Sequence, residues 1–395
     1  MTPHAPLLPL HQRRDALIAP YGDADDAPPV VQTFGHLDLE YAALRKHAVL
    51  FDAPHRATLS LTGEDRLPFL DAMLTQRVRD LAPADVRDAF WLNRKGRIVA
   101  DLRITHLPDR TLLDLDTLAA RQTAESLESF IFTEDVTITD RSDELSRLWL
   151  LGPTAPLLLD AAADPAPQDL PDRRAFETRI ADVPTPITRA DLGPIPAFEL
   201  TLPLAHASTL YNRLLELGEP PAPEPGAPQP DTLPARVRLR PTGWHAINIA
   251  RIESGIPMFN LDFATANLPA ETGLLEQRVD FKKGCYLGQE VVTRMHALGH
   301  PKQTLVALRI ETTDDEPAPP QAGTGAELFT PDNPDKPVGA ITSSTISPMC
   351  SGASIALAMV RWGAHEPGGR LHLTAEGRHA TATIQPTLTF YPAPA

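Results

Sequence analysis

Eight consecutive residues, Lys283-Gly284-Cys285-Tyr286-Leu287-Gly288-Gln289-Glu290, bring together an ammonium, a thiol, a phenol, an amide and a carboxylate, punctuated by two glycines. Packing alone asks for no such mixture. Glycine lets backbone approach a ligand closely or take dihedral angles other residues avoid. Cys285 is one of two cysteines in the chain. The thiolate is the reactive and metal-binding form of cysteine, and nearby positive charges such as Lys282 and Lys283 favour it. Three chemistries fit: a cluster or metal ligand, a redox-sensitive thiol, or a nucleophile toward a one-carbon unit. Against them stands a small buried hydrophobe, a common use of free cysteine. No cysteine–histidine–acid triad is legible, so hydrolase chemistry is not expected. Tyr286 can stack on a ligand or pack in the core. Gln289 and Glu290 can orient the loop or cap the helix that Val291 and Val292 begin.

Other candidates are weaker. His296 and His300 are four apart, a spacing that can put two imidazoles on one helix face. Gly299 and Pro301 end that helix, so no metal site is expected. Trp244 reads as core, and Cys350, after Ser347-Pro348-Met349, as an incidental loop residue.

The elements that must position these groups follow from the apolar pattern. Residues 37–49 read as a helix with Leu39, Ala42, Ala43 and Val49 inward and Glu40 outward. Leu50-Phe51-Asp52 leads into a strand, and Thr62-Gly63-Glu64-Asp65 into a helix. Residues 87–117 read as a β-meander turning at Asn93-Arg94-Lys95-Gly96. A helix over 118–130, a strand over 144–151 and a helix over 241–254 follow. Residues 303–395 alternate short strands with turns, as a small antiparallel barrel does. The order is α+β rather than doubly wound. Residues 1–30 are expected to be irregular, 31–300 to form the main body with a proline-rich insertion at 219–234, and 301–395 the barrel.

Composition narrows the function classes. A length of 395 residues suits two or three domains. The net charge of −15 argues against an extended nucleic-acid footprint. A local basic patch is expected around Arg278, Lys282, Lys283, Arg294 and Lys302, suited to an anionic ligand. Two cysteines are too few for a disulfide framework or a four-thiolate metal site and fit a reducing, cytoplasmic setting. No apolar run is long enough to span a membrane.

The octapeptide resembles the K-G-C-Y-x-G-Q-E signature of the YgfZ branch of GcvT-like, folate-binding proteins. Further segments are similar in order: Leu50-Phe51-Asp52, Asn93 through Asp101, Arg251-Ile252-Glu253-Ser254-Gly255-Ile256-Pro257, Asn267-Leu268-Pro269 with Glu271-Thr272-Gly273-Leu274, and Ile355-Ala356-Leu357-Ala358. The resemblance implies three subdomains around a central channel holding tetrahydrofolate or a one-carbon derivative. It implies a pterin-binding role for Glu253, with Arg251 and Tyr286 beside the cofactor. Asp101 would act near the reactive nitrogens of the folate, and Cys285 would be the working thiol. It also implies a part in assembling or repairing iron–sulfur proteins, including an iron–sulfur enzyme of tRNA modification, with client proteins or assembly factors as partners. The related aminomethyltransferases carry two adjacent acids in a G-G-x-x-D-D hairpin, where this chain has Ala100 and Asp101. That departure weighs against a tetrahydrofolate-dependent aminomethyl- or methyltransferase, which stays as the alternative. A non-catalytic scaffold that lost its ligand is the third reading.

Overall fold

The computed structural model describes residues 5–23, 27–218, 237–312 and 320–391, so the expected insertion at 219–234 lies outside the described residues. The chain folds as two compact units. One comprises Met1–Leu67, Asp80–Arg87 and Arg103–Ile247, the other Pro68–Arg79, Asp88–Leu102 and Asn248–Ala395. The strands Val86–Leu92 and Ile98–His106 contribute residues to both.

The first unit is built on a six-stranded sheet. In spatial order its strands are Ala175–Phe176, Ile187–Arg189, Ala197–Pro203, Leu145–Leu151, Ala48–Asp52 and Leu239–Pro241. All pairings are antiparallel except the last, which is parallel. Helices Ala155–Ala162 and Ala207–Gly218 bury Leu158, Leu159, Leu210 and Leu214 in a core shared with Leu50, Leu148, Leu150 and Leu200. Burying one such leucine stabilises the fold by about 1.5–3 kcal/mol. In the same unit Arg56–Thr62 pairs with Thr111–Asp116 on one side and Thr137–Asp140 on the other.

Two expectations need correction here. The described part of the N-terminal segment holds regular structure: Leu8–Gln12 is a helix, and Leu17–Pro20 pairs with Pro29–Thr33. Pro9 lies in the first helical turn, where its missing N–H costs nothing, and Leu7 is fully buried. Of the residues expected to face inward from a helix over 37–49, observed as Leu37–Lys46, Ala43 and Val49 are buried but Leu39 and Ala42 are not. Leu39 is 51 % exposed, whereas Tyr41, Leu44 and Glu40 are buried. Glu40 is tolerated inside because its carboxylate accepts from Thr33 Oγ1, the Phe34 amide, Thr242 Oγ1 and the Gly243 amide.

The second unit ends in a nearly closed antiparallel barrel. Its strand order is Glu327–Leu328, Gly339–Ser347, Ala353–Arg361, Gln303–Thr312, Arg378–Ile384, Arg370–Ala375. Reciprocal main-chain bonds between Phe329 and His372 tie the first edge to the last. Alternate residues fill the interior, among them Leu308, Ile310, Ala356, Ala358, Leu371 and Leu373. The helix expected over 241–254 runs from Trp244 to Glu253, because Pro241 closes the strand Leu239–Pro241. Near its C-terminal end Ile252 packs with Leu305, Ala307, Ile355 and Leu357. Among the described residues no helix is long and apolar enough to cross a membrane.

Candidate functional site

The octapeptide lies in the second unit as a loop leading into the helix Gln289–Leu298. Its start is fixed by Asp280, whose carboxylate accepts from the Lys282 amide at 2.7 Å and from Arg77 Nε at 3.1 Å. Burial pushes Asp280 upward, but these donors outweigh it and hold its pKa below the usual carboxylate range. Lys283 then turns into the protein. Its ammonium donates to the carbonyls of Asp71, of Leu74 at 2.8 Å and of Gln76 at 3.0 Å. These carbonyls lie at and just beyond the end of the helix Arg66–Met73, where main-chain acceptors lack intrahelical donors. All three ammonium protons thus have acceptors. Desolvation lowers the pKa of Lys283, with the Asp71 carboxylate opposing it.

The glycines do different work. Gly288 has φ +82°, and a Cβ there would stand 2.7 Å from the Asn93 carbonyl oxygen and 3.1 Å from the Gly96 Cα. Gly96 in turn has φ +70° and would meet Val291. The loop and the Asn93–Gly96 hairpin therefore fit together through two glycines far apart in sequence. Gly284 takes no left-handed angle and has no atom within 4 Å of where its Cβ would be. Next to it Cys285 is exposed. Tyr286 is buried, with Lys283 Nζ 5.5 Å from its ring centroid. Burial, then the Asp280 charge, pushes the phenol up to about 12, so it stays protonated at neutral pH. Gln289 reaches back toward the Gly284 carbonyl at 3.5 Å, and Glu290 sits in the first helical turn. The expected basic environment of Cys285 is thus altered: Lys283 is anchored on carbonyls.

Asp101 accepts from Arg278 Nε at 2.8 Å, and Arg278 Nη1 also meets Asp88 at 3.0 Å. Asp88 was not legible as a site residue; a carboxylate inside the apolar strand Val86–Leu92 is its signal. With Arg278 so held and Lys283 buried, the expected basic patch loses two of its five cations. Ala100 is fully buried, so the neighbour of Asp101 faces core.

Glu253 and Arg251 are placed differently from what the resemblance implies. Glu253 is 0 % exposed and accepts from Ser347 Oγ at 2.6 Å and from the Met349 amide at 3.4 Å. Arg251 is equally buried, donating to Asp262 at 2.7 Å and Ser343 Oγ at 2.6 Å. Both side chains bolt the end of their helix to the barrel strand Gly339–Ser347. Asp101, implied to act near the reactive nitrogens of a folate, keeps a side-chain exposure of 17 %, whereas Glu253, implied to hold the pterin, is enclosed by the barrel turn. Cys350 closes the same turn, its amide donating to Ser347 Oγ. His296 stacks on Phe281 at 4.0 Å and His300 on Trp362 at 4.8 Å, so the two imidazoles are not brought together.

The first unit holds a charged cluster that sequence reading missed. Arg147 lies 2.8 Å from Asp114 and 2.9 Å from Glu199, and donates to Thr58 Oγ1 at 2.7 Å. Arg56 also pairs with Asp114, and Arg103 with Glu199. Burial pushes Asp114 toward its neutral form, but Arg147 and Arg56 outweigh that and hold its pKa low. His55 sits nearby among the rings of Tyr21, Phe51, Trp149 and Trp244. Neither of its ring nitrogens has a hydrogen-bond partner among the described residues. Desolvation, helped by Arg56, lowers its pKa to about 3. The signals were acids set inside apolar runs, as in Leu112-Leu113-Asp114-Leu115.

Comparison with known proteins agrees with this architecture. The GCVT N-terminal domain matches residues 21–283, and the glycine cleavage T-protein C-terminal barrel domain matches residues 303–391. The chain belongs to the glycine cleavage T-protein family. It is 27% identical over 366 residues to the aminomethyltransferase of Cutibacterium acnes, covering 89% of each chain. It is 26% identical over 391 residues to that of Geobacillus thermodenitrificans, covering 98% of each. In fold it is similar to the glycine cleavage system aminomethyltransferase T of Bartonella henselae. That match has a TM-score of 0.80 and 23% identity, over 98% of this chain and 97% of the other.

Proposed function

We propose that this chain is a tetrahydrofolate-binding accessory protein of the YgfZ type, serving the assembly or repair of iron–sulfur proteins. The observation that carries the reading is Cys285, exposed on a loop whose base is held by the buried Lys283 ammonium. A thiol that is both uncovered and held at its base suits presentation to a macromolecule or cluster arriving from outside. Asp101, oriented by Arg278, is the group that would hold a folate, which when bound supplies one-carbon acceptor chemistry. Any effect on tRNA modification then comes through an iron–sulfur enzyme, not through direct contact with RNA. The buried Ala100, in place of a second acid, supports this reading over glycine cleavage.

A second reading, a tetrahydrofolate-dependent aminomethyltransferase, is favoured by the full-length similarity to proteins of that name. It requires stoichiometric methylene-folate formation from an aminomethyl donor. Calorimetric titration with tetrahydrofolate separates the readings. The wild type should bind saturably, Asp101→Asn should bind more weakly, and Cys285→Ser should bind normally yet fail to support an iron–sulfur enzyme in cells. Equal loss of binding in both variants would contradict this division of roles. No binding by the wild type would leave a non-catalytic scaffold.

A further inference from the structure

The first unit contains a cleft of about 730 Å3 between the ends of the helices Leu37–Lys46 and Ala207–Gly218 and the strand Leu239–Pro241. Its charged lining is of one sign, Arg14, Lys46, Arg238 and Arg240, with no carboxylate among the described lining residues. In a chain of net charge −15 such a concentration of cations is unexpected. Its accessible apolar surface is Leu39 with the half-buried Ala42 beside it, while Leu239 and Pro241 face the core from the other side of their strand. Leu39 is the residue whose 51 % exposure departs from the expected inward face of its helix.

A purely structural role for these cations is to balance helix C-termini, which carry partial negative charge. Two helix ends supply about −0.5 each, roughly −1 in all. Arg14, Lys46, Arg238 and Arg240 supply four full positive charges, and none forms an ion pair with a described residue. The balance therefore stays positive by about three charges. The volume lies within the range of about 300–1,000 Å3 typical of small-molecule sites.

We propose that this cleft binds a small organic polyanion with a planar, apolar body, of the nucleoside di- or triphosphate type. The phosphates would meet the arginines, whose forked donors match phosphate oxygens, and the ring would lie on the apolar surface of Leu39 and Ala42. The concave shape favours such a molecule over a nucleic-acid strand, which needs an extended basic track. The inference is independent of the folate reading, because none of its residues takes part there.

The test is calorimetric titration of the full chain with ADP, with pyrophosphate and with a single-stranded oligonucleotide. Lys46→Glu and Arg238→Glu serve as separate variants. Both side chains are exposed, so unchanged circular dichroism and melting can confirm folding. ADP should bind one to one, more tightly than pyrophosphate, and each charge reversal should weaken it by about tenfold or more. No saturable ADP binding, or binding that survives both reversals, would overturn the proposal. So would pyrophosphate binding as tightly as ADP, since the apolar surface would then have no part. Tight oligonucleotide binding without ADP binding would assign the cations to nucleic acid instead.

Discussion

Arg147 in the first unit and Lys283 in the second are both buried cations, but they are neutralised differently. Arg147 faces the side-chain carboxylates of Asp114 and Glu199. Lys283 faces three main-chain carbonyls, with the nearest carboxylate, Asp71, at 3.6 Å. A carboxylate partner carries full charge, depends on pH and must itself be held in place. A carbonyl cage depends on nothing but the path of the chain. The first arrangement makes stability hinge on every member of a network. The second anchors a loop and leaves its neighbour, Cys285, uncovered.

The largest effect should come from removing Arg147. Arg147→Met would leave Asp114 and Glu199 short of a shared partner inside the protein. Breaking a buried pair in this way costs about 3–5 kcal/mol. Urea unfolding of the variant checks it, and a loss below about 1 kcal/mol would place the pair among solvated surface bridges.

His55 sharpens the same contrast through pH. Its pKa is about 3 when folded against 6.5 ordinarily, so between those values the unfolded chain binds the extra proton. Stability is therefore fully present above pH 6.5 and declines as pH falls toward 3, by about 1.4 kcal/mol per pH unit. The difference in stability between wild type and His55→Leu should change with that slope over this window and level off below it. A difference independent of pH would mean that His55 is not buried in its neutral form. No such slope is expected from the carbonyls around Lys283.

What was legible in the sequence divides along the same line. The helices over Leu37–Lys46 and Trp244–Glu253, the meander and the barrel followed from apolar periodicity and turn residues, because burial of one face is a local pattern. The octapeptide was legible as an unusual mixture of groups. The partners of those groups were not. Lys283 binds carbonyls, which every residue has, so no side chain announces the cage. Glu40 read as a surface acid, and the barrel partners of Glu253 stayed hidden, because their donors lie as many as 203 and 96 residues away in sequence. Asp88 and Asp114 left a trace, an acid within an apolar strand, but the trace names no partner.

Lys283→Met tests the cage directly. It leaves carbonyls of the helix end without a donor, at a cost of about 1–3 kcal/mol. Because the cage is local, the loss should concentrate in residues 283–290, seen as faster amide exchange there with little change elsewhere. Unchanged exchange in the loop would show that its position rests on something other than the lysine.

The two glycines of the loop give the smallest effects and the sharpest separation of structure from chemistry. Gly288→Ala forces a side chain into a left-handed angle and against the Asn93 carbonyl, so a loss of about 1–2 kcal/mol is expected. Gly284→Ala meets neither obstacle, and stability should change by no more than about 0.5 kcal/mol. If Gly284 lacks a side chain to keep the approach to Cys285 open, its alanine variant should slow alkylation by bulky maleimides more than by iodoacetamide. Gly288→Ala should instead alter both rates together, by moving the loop. Equal rates in the Gly284 variant and the wild type for both reagents would remove access to the thiol as the reason for that glycine.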